Sequence, residues 1–324
     1  MSNHPFGSLQ SRRVLVTGGT SFLGSHLVRR LITLEAKVYC IIRPPSNRKR
    51  LSGCLDGIQI LEGNLHERET VLQAIQKSRP EIVFHLATYG VDPRETDPIT
   101  TIHTNVLGLT YLIEGLAQSP CQRFINTGSC FEYGNQNGKL SEEAPLLPLN
   151  VYAASKTMAW HLCNMQHQRN GFPVVTLRPF TFFGPYERPD RLIPSVIQAI
   201  LLGKEIRITS GVQTRDYTYV EDMVEAYLLA AVSDRAVGQT FNIGSGTDYS
   251  VLEIVERIRK LMTSSTPMRV GALETRPREA WRLCCDPAKA NNVLGWHPRF
   301  TFDEGLSTTI RWMTSQHEAL VRGT

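Results

Sequence analysis

Three side chains able to move a proton at a carbonyl oxygen stand in one region of this chain. Ser129 ends the run RFINTGS, and Tyr152 and Lys156 follow in VYAASK. Four residues of spacing puts the phenol and the ammonium on one helix face, one turn apart. A phenol titrates near about 10 and is a poor acid or base at neutral pH unless an adjacent ammonium stabilises its phenolate. Serine can then hydrogen-bond the oxygen that gains or loses the proton. A YxxxK pair also occurs on ordinary helix surfaces; here its chemistry depends on what precedes it.

What precedes it is VLVTGGTSFLG, residues 14–24, a β-branched strand running into Gly18, Gly19 and Gly24 before the amphipathic HLVRRL. The spacing Gly18-x-x-Ser21-x-x-Gly24 predicts a strand-turn-helix in which a pyrophosphate rests on free helix N-terminal amides. Ser21 replaces the usual middle glycine, and its hydroxyl could donate to a phosphate or ribose oxygen. The next strand, KVYCIIR, ends in Arg43 where an NAD-selective protein would place a carboxylate on the ribose 2′-hydroxyl, and no Asp or Glu occurs between Glu35 and Asp56. Arg43, with Arg48, Lys49 and Arg50 behind it, suits a 2′-phosphate, since guanidinium binds phosphate bidentately. NADP(H) is therefore favoured, with NAD(H) the alternative; the competing reading of RPPSNRKR is a solvated basic face.

The elements that must position these residues alternate. Short apolar runs (RVLVTGG, KVYCIIR, IQILEGN, EIVFHLAT, RFINTGS, PVVTLRP) are separated by helical patterns, including one continuous helix expected over TTIHTNVLGLTYLIEGLAQ. That alternation predicts an α/β fold with a doubly wound parallel sheet and right-handed crossovers. Residues 1–180 read as the dinucleotide-binding domain. Residues 181–324, with shorter elements and more Pro and Gly, read as a smaller substrate-binding lobe, a segment near 215–245 returning to the large domain.

With 324 residues, 41% of them hydrophobic, the chain can bury a sizeable core. No run approaches a membrane span, and MSNHPFGSLQS lacks the apolar core of a signal peptide, so a cytoplasmic location is expected. The seven cysteines form no CxxC pair and no zinc-spaced cluster with histidine, so reduced thiols and no metal are expected. The net charge of +5 forms no stripe interleaved with aromatics, which argues against nucleic acid. His85 and His103 read as core or loop residues, and Phe180, Phe182 and Phe183 as wall and core.

Taken together, TGGTSFLG, GNL, HLAT, TNVLGLTYLIEGL, GSCFEYG, YAASK, LRPFTFFGP, TRDYTYVEDMVEAY, FNIGSG, TRPRE and KANNVLGWHPRF resemble, in order, the extended short-chain dehydrogenases/reductases that act on nucleotide sugars. The resemblance implies a catalytic trio of Ser129, Tyr152 and Lys156, with Tyr152 as proton donor or acceptor and Lys156 also gripping the nicotinamide ribose. It assigns Gly18, Thr20, Ser21, Phe22, Leu23, Gly24, Leu65 and Pro179 to the cofactor, Asn64 to the adenine side where the family has Asp, Leu86, Ala87 and Thr88 to the dinucleotide's flank, and Thr127 to the nicotinamide ribose. Arg215 and Arg276 would clamp a substrate diphosphate, which explains them better than surface ion pairs with Asp216, Glu221 or Glu279, worth about 0 to 1 kcal/mol. Cys130 and Thr181 would line the substrate; Thr181 stands where the family has Asn.

Family members that perform 4,6-dehydration carry an acid pair directly after the catalytic Ser or Thr, and here Cys130 and Phe131 occupy those places. Elimination needs a proton taken from carbon 5 and one given to carbon 6, which a thiol and a phenyl ring serve poorly. The expectation is an NADPH-dependent reduction of a nucleotide-linked 4-keto-6-deoxyhexose, with an NAD-dependent epimerase as the alternative and a non-catalytic NADP(H) sensor as a third reading. The resemblance also implies a homodimer through the helices TTIHTNVLGLTYLIEGLAQ and YAASKTMAWHLCNMQHQ.

Overall fold

The computed structural model describes residues 6–92, 94–274 and 280–322. Strands and helices alternate from the start: β1 (Arg13–Thr17), α1 (Phe22–Thr33), β2 (Lys37–Ile42), β3 (Ile58–Glu62), α2 (Arg68–Ser78) and β4 (Ile82–His85). There follow α3 (Pro98–Ile102), α4 (Gly108–Leu116), β5 (Arg123–Thr127), α5 (Val151–Asn170), β6 (Val174–Pro179) and β7 (Thr181–Phe183). The remainder comprises α6 (Leu192–Leu201), β8 (Ile206–Arg207), β9 (Thr214–Tyr219), α7 (Val220–Val232), β10 (Thr240–Ile243), β11 (Asp248–Ser250), α8 (Val251–Leu261), β12 (Met268–Arg269), β13 (Arg282–Leu283) and α9 (Phe302–Arg322).

Seven strands form one sheet in the order β10-β6-β5-β4-β1-β2-β3, every neighbouring pair parallel. The chain winds outward from β1 to β3, then restarts beside β1 at β4 and winds the other way. The order therefore reverses between β1 and β4, and the crevice beyond their carboxyl ends is where open α/β sheets take ligands. The side-chain period of two explains the apolar runs: Val14 and Val16 enter the core beneath α1 and α7, while Leu15 enters the one beneath α2 and α4.

The segment 220–243 leaves the smaller region, lays α7 against α1 and adds β10 to the sheet edge. Its return is anchored by Asp222, whose carboxylate accepts from Arg299 N at 3.0 Å and Phe300 N at 3.1 Å. In the smaller region β9 pairs with β7, β11 and β13, and β8 with β12. Its helices α6, α8 and α9 share the core that lies under α1.

One departure from the sequence pattern concerns the long helix after β4. It is interrupted by a π-turn at His103–Leu107 between α3 and α4. Inside that turn the buried Asn105 turns its amide to the loop after β4 and to Ser155 of α5, a geometry that a regular helix would not present. Among the described residues, no helix is long and apolar enough to cross a membrane.

Candidate active site

The turn after β1 is shaped by close approach. Gly18 has φ +73°, and a Cβ there would lie 2.6 Å from Ala87 N; a Cβ on Gly24 would lie 2.1 Å from Gly18 O. Glycine at these positions lets the ends of β1 and β4 meet and seats α1 against its strand. Ser21 is the N-cap of α1: its Oγ accepts from Gly24 N at 3.1 Å, leaving its own proton as the free donor. The serine that breaks the glycine pattern thus starts the helix. The other first-turn amides of α1 have no intrahelical acceptors, so this turn is built to receive an anion. Thr20 is half-buried in the turn. Phe22 stacks on Phe182, ring centroids 5.4 Å apart. The side chains of Leu23 and Leu65 are buried in the two cores, so only their backbones can face a ligand.

Beyond β2 and β3 a cleft of about 390 Å³ is lined by Arg43, Pro44, Pro45, Glu62, Gly63, Asn64, Glu67 and Thr70. Arg43 and Asn64 come together as expected, with Arg43 exposed at the rim. The remaining arginines of the basic loop are engaged by other groups, Arg48 by a carboxylate of the cleft itself. Arg48 pairs with Glu62 at 3.1 Å, and Arg50 donates to the Tyr186 carbonyl at 2.8 Å. The cluster of positive charge read from RPPSNRKR is thereby reduced, because two of its arginines are already partnered.

Along the crevice, Leu86 is buried and Ala87 N donates to Thr17 Oγ1 at 3.2 Å. Thr88 Oγ1 donates to Asn105 Oδ1 at 3.1 Å, and Asn105 Nδ2 donates to the Tyr89 carbonyl and to Ser155 Oγ, each at 2.9 Å. Asn105 thus ties the loop after β4 to the helix carrying Tyr152 and Lys156. The sequence reading gave it no role, although it lies within TNVLGLTYLIEGL. His85 is a core residue: burial pushes its imidazole down to about 3, and it is bonded to Thr17 Oγ1 at 2.8 Å.

Ser129, Tyr152 and Lys156 converge at the ends of β5 and α5. Ser129 caps the turn Cys130–Tyr133, its Oγ accepting from Phe131 N at 3.2 Å and its hydroxyl hydrogen-bonding with Tyr152. Lys156 Nζ donates to the Thr127 carbonyl at 2.9 Å and lies 6.0 Å from the Tyr152 ring centre. Thr127 Oγ1 in turn accepts from Tyr227 at 3.1 Å. Burial lowers Lys156 to about 8, against the opposing pull of Glu132 and Cys163. Burial raises Tyr152 above its ordinary value, more than Ser129 and the Arg191 guanidinium pull it down. Tyr152 is accordingly held as a phenol, a proton donor. Arg191, just before α6, is a second group absent from the sequence reading; only its charge in RPDR marked it.

Cys130 is buried, its thiol pushed up to about 12, mainly by desolvation and against the charge of Arg215. Arg215 lies on β9, where its Nη1 donates to the Thr214 carbonyl at 2.7 Å. Thr181 begins β7, opposite Tyr217 of β9, and Pro179 ends β6 opposite Ile243. Asp216 is engaged elsewhere, accepting from Ser245, Gly246 and Cys285. Arg276 and Glu279 lie outside the described residues. Among the described residues, no group of His, Cys, Asp and Glu could hold a metal.

A glycine turn at the strand reversal, a cleft beside it and a Ser-Tyr-Lys group beyond the crevice form the candidate site of an α/β enzyme. Residues 14–244 match the NAD dependent epimerase/dehydratase family, and the chain belongs to it. It is 30% identical over 331 residues to the dTDP-glucose 4,6-dehydratase of Xanthomonas campestris pv. campestris, covering 93% of each chain. Among solved structures it is similar to Epimerase Mth375 of Methanothermobacter thermautotrophicus, with TM-score 0.89, 28% identity, and 98% and 96% of the two chains covered. It is also similar to the UDP-glucose 4-epimerase of Thermotoga maritima, with TM-score 0.88, 25% identity, and 94% and 99% covered. The chain is thus an enzyme of the nucleotide-sugar epimerase and dehydratase kind.

Proposed function

We propose that this enzyme reduces the 4-keto group of a nucleotide-diphosphate 4-keto-6-deoxyhexose with NADPH. The observation that carries this reading is the turn after Ser129, which holds no available acid. Cys130 is a buried thiol, Phe131 a phenyl ring, and both oxygens of Glu132 are taken, by Ser129 N at 2.7 Å and Arg178 Nε at 2.9 Å. Elimination across carbons 5 and 6 would lack its proton shuttle, whereas hydride transfer at carbon 4 needs only the trio.

The nicotinamide, when bound, supplies the hydride. Gly18, Thr20, Ser21, Phe22, Leu23 and Gly24 hold its pyrophosphate, Asn64 and Leu65 its adenine, and Leu86, Ala87, Thr88, Thr127 and Pro179 its flank and far ribose. Tyr152 gives its proton to the carbonyl oxygen as that oxygen becomes an alkoxide. Ser129 hydrogen-bonds the same oxygen, and Lys156 stabilises the phenolate left behind. Arg215 grips the substrate diphosphate, with Arg276 in the same role that the family resemblance implies, and Thr181 and Cys130 lie beside the sugar. Exposed Arg43 at the cleft rim supports a 2′-phosphate, hence NADPH. Similarity to the Thermotoga epimerase favours a second reading, in which retained NAD takes the hydride and returns it to the other face.

Two measurements on the purified protein decide between them: mass spectrometry of any retained dinucleotide, and NADPH oxidation against a panel of UDP-, dTDP-, GDP- and CDP-linked 4-keto-6-deoxy sugars. The reductase reading expects net NADPH consumption. Stoichiometric bound NAD with epimer interconversion and no net consumption overturns it. Arg43→Glu is expected to lower the preference for NADPH over NADH by about tenfold or more, since a charge-assisted phosphate contact is worth about 1.5 to 3 kcal/mol.

A further inference from the structure

The turn bearing Ser129 rests on a buried charge pair that the proton transfer does not use. Glu132 is 0% and Arg178 1% exposed. Glu132 Oε1 accepts from Ser129 N at 2.7 Å and its Oε2 from Arg178 Nε at 2.9 Å. Arg178 Nη1 donates to Tyr133 Oη at 3.1 Å, and that hydroxyl donates to Asn242 Oδ1 at 2.8 Å. The guanidinium also lies over the rings of Tyr133 and Trp160, at 5.1 and 5.0 Å from their centres. Gly128 makes room for the pair: a Cβ there would lie 2.6 Å from Glu132 Oε1 and 3.0 Å from Arg178 Cγ.

A capping carboxylate ordinarily sits at an exposed helix end, where a glutamine caps as well as a glutamate. Burying both charges brings little stability, because their desolvation offsets their attraction, and an apolar pair of similar volume does as well or better. What the ion pair adds is a fixed direction. It ties the Ser129 backbone to β6, beside β5, while Phe131 N occupies one side of the Ser129 hydroxyl, so the remaining side of that hydroxyl is turned to Tyr152.

We propose that Glu132 and Arg178 are positioning residues that aim the Ser129 hydroxyl and keep a negative charge beside Lys156. This rests on the reading of Ser129, Tyr152 and Lys156 as the reacting group. Lys156 is faced by Glu132 from the turn after β5, by His85 from β4, by Tyr152 and Cys163 from α5, and by the Thr127 carbonyl. Of these, Glu132 is the group that sustains its proton most.

The test compares wild type with Glu132→Gln and with the double variant Glu132→Gln/Arg178→Met, which leaves no uncompensated buried charge should the single variant fail to fold. Dinucleotide binding by fluorescence titration, crystal structures, and kcat and KM against pH on NADPH with dTDP-4-keto-6-deoxyglucose and the other panel sugars are measured. Expected are unchanged dinucleotide affinity, a kcat about tenfold to a hundredfold lower with KM within about twofold, and an alkaline limb moved to lower pH. In the structures the Ser129 hydroxyl turns away from Tyr152. Wild-type kcat and pH profile with Ser129 unmoved in either variant would overturn the proposal. If wild type turns over none of the panel sugars, the reductase reading fails, and the crystal structures alone decide the positioning: a displaced Ser129 hydroxyl upholds it and an unmoved one overturns it.

Discussion

At the scale of single residues, environment turns ordinary side chains into a directed acid. Burial holds Tyr152 as a phenol while Ser129 keeps a hydrogen bond to it. Tyr152→Phe, which removes only the hydroxyl, should lower turnover by about 10²- to 10⁴-fold and leave dinucleotide affinity unchanged; persisting turnover would assign the proton to another group. Lys156 sets the pH limit. Its value is lowered from 10.5 to about 8, so its charge is complete well below that pH and is lost as pH rises through it. The kcat/KM profile is therefore expected to fall on the alkaline side near pH 8, well below where free lysine titrates, and a flat profile up to about pH 10 would remove Lys156 from the reacting group.

At the scale of elements, the site depends on where strands and helices stop. Ser21 ends the turn and begins α1, and Gly24 lets that helix approach Gly18 O so closely that a methyl would meet it at 2.1 Å. Gly24→Ala should thus lift α1 from β1, lower stability by about 1 to 3 kcal/mol and weaken dinucleotide binding more than it slows any step after binding. Thermal melts and a fluorescence titration measure the two effects. The π-turn around Asn105 does comparable work, since it breaks a helix so that one amide can bridge the loop after β4 and α5. Pro98 opens α3 at its first turn, and the residues of the break itself, His103–Leu107, include no proline or glycine that would have announced it.

At the scale of the whole molecule, α5 leaves an apolar face uncovered. Val151, Met158 and Met165 are 43%, 46% and 45% exposed and recur every two turns on one side, with Leu147 at 52% nearby. A homodimer of the kind the family resemblance implies would cover that stripe. Met158→Glu/Met165→Glu is expected to halve the mass measured by light scattering while preserving the fold by circular dichroism; an unchanged mass places the dimer contact elsewhere or removes it. Salt-bridged loops lie near the start of α5, where Gly90 packs against Tyr152. Asp92, beyond β4, pairs with Arg188, and Arg94 with Asp190 at 3.4 Å, on either side of the segment that presents Arg191 to Tyr152.

Local rules were enough for the parallel sheet, the glycine turn and the Tyr152–Lys156 pair. Strand-helix alternation, φ above zero at Gly18 and a one-turn spacing are properties of neighbours along the chain. The fate of charges was not legible in that way. Arg48 and Arg50 belong in sequence to the loop of Arg43, but Glu62 and the Tyr186 carbonyl reach them from other strands and loops. Glu132 lies one residue from where an acid would act, and only β6, bringing Arg178 beside it, makes that carboxylate a support for Ser129. The sequence by itself determined the fold class and the one-turn spacing of Tyr152 and Lys156, because both follow from periodicity, while the grouping of Ser129 with them was an expectation from the family resemblance. The tertiary structure decided which charges remain available for a ligand, because a charge is claimed by whatever partner the fold brings within hydrogen-bonding distance, however far away it lies in the chain.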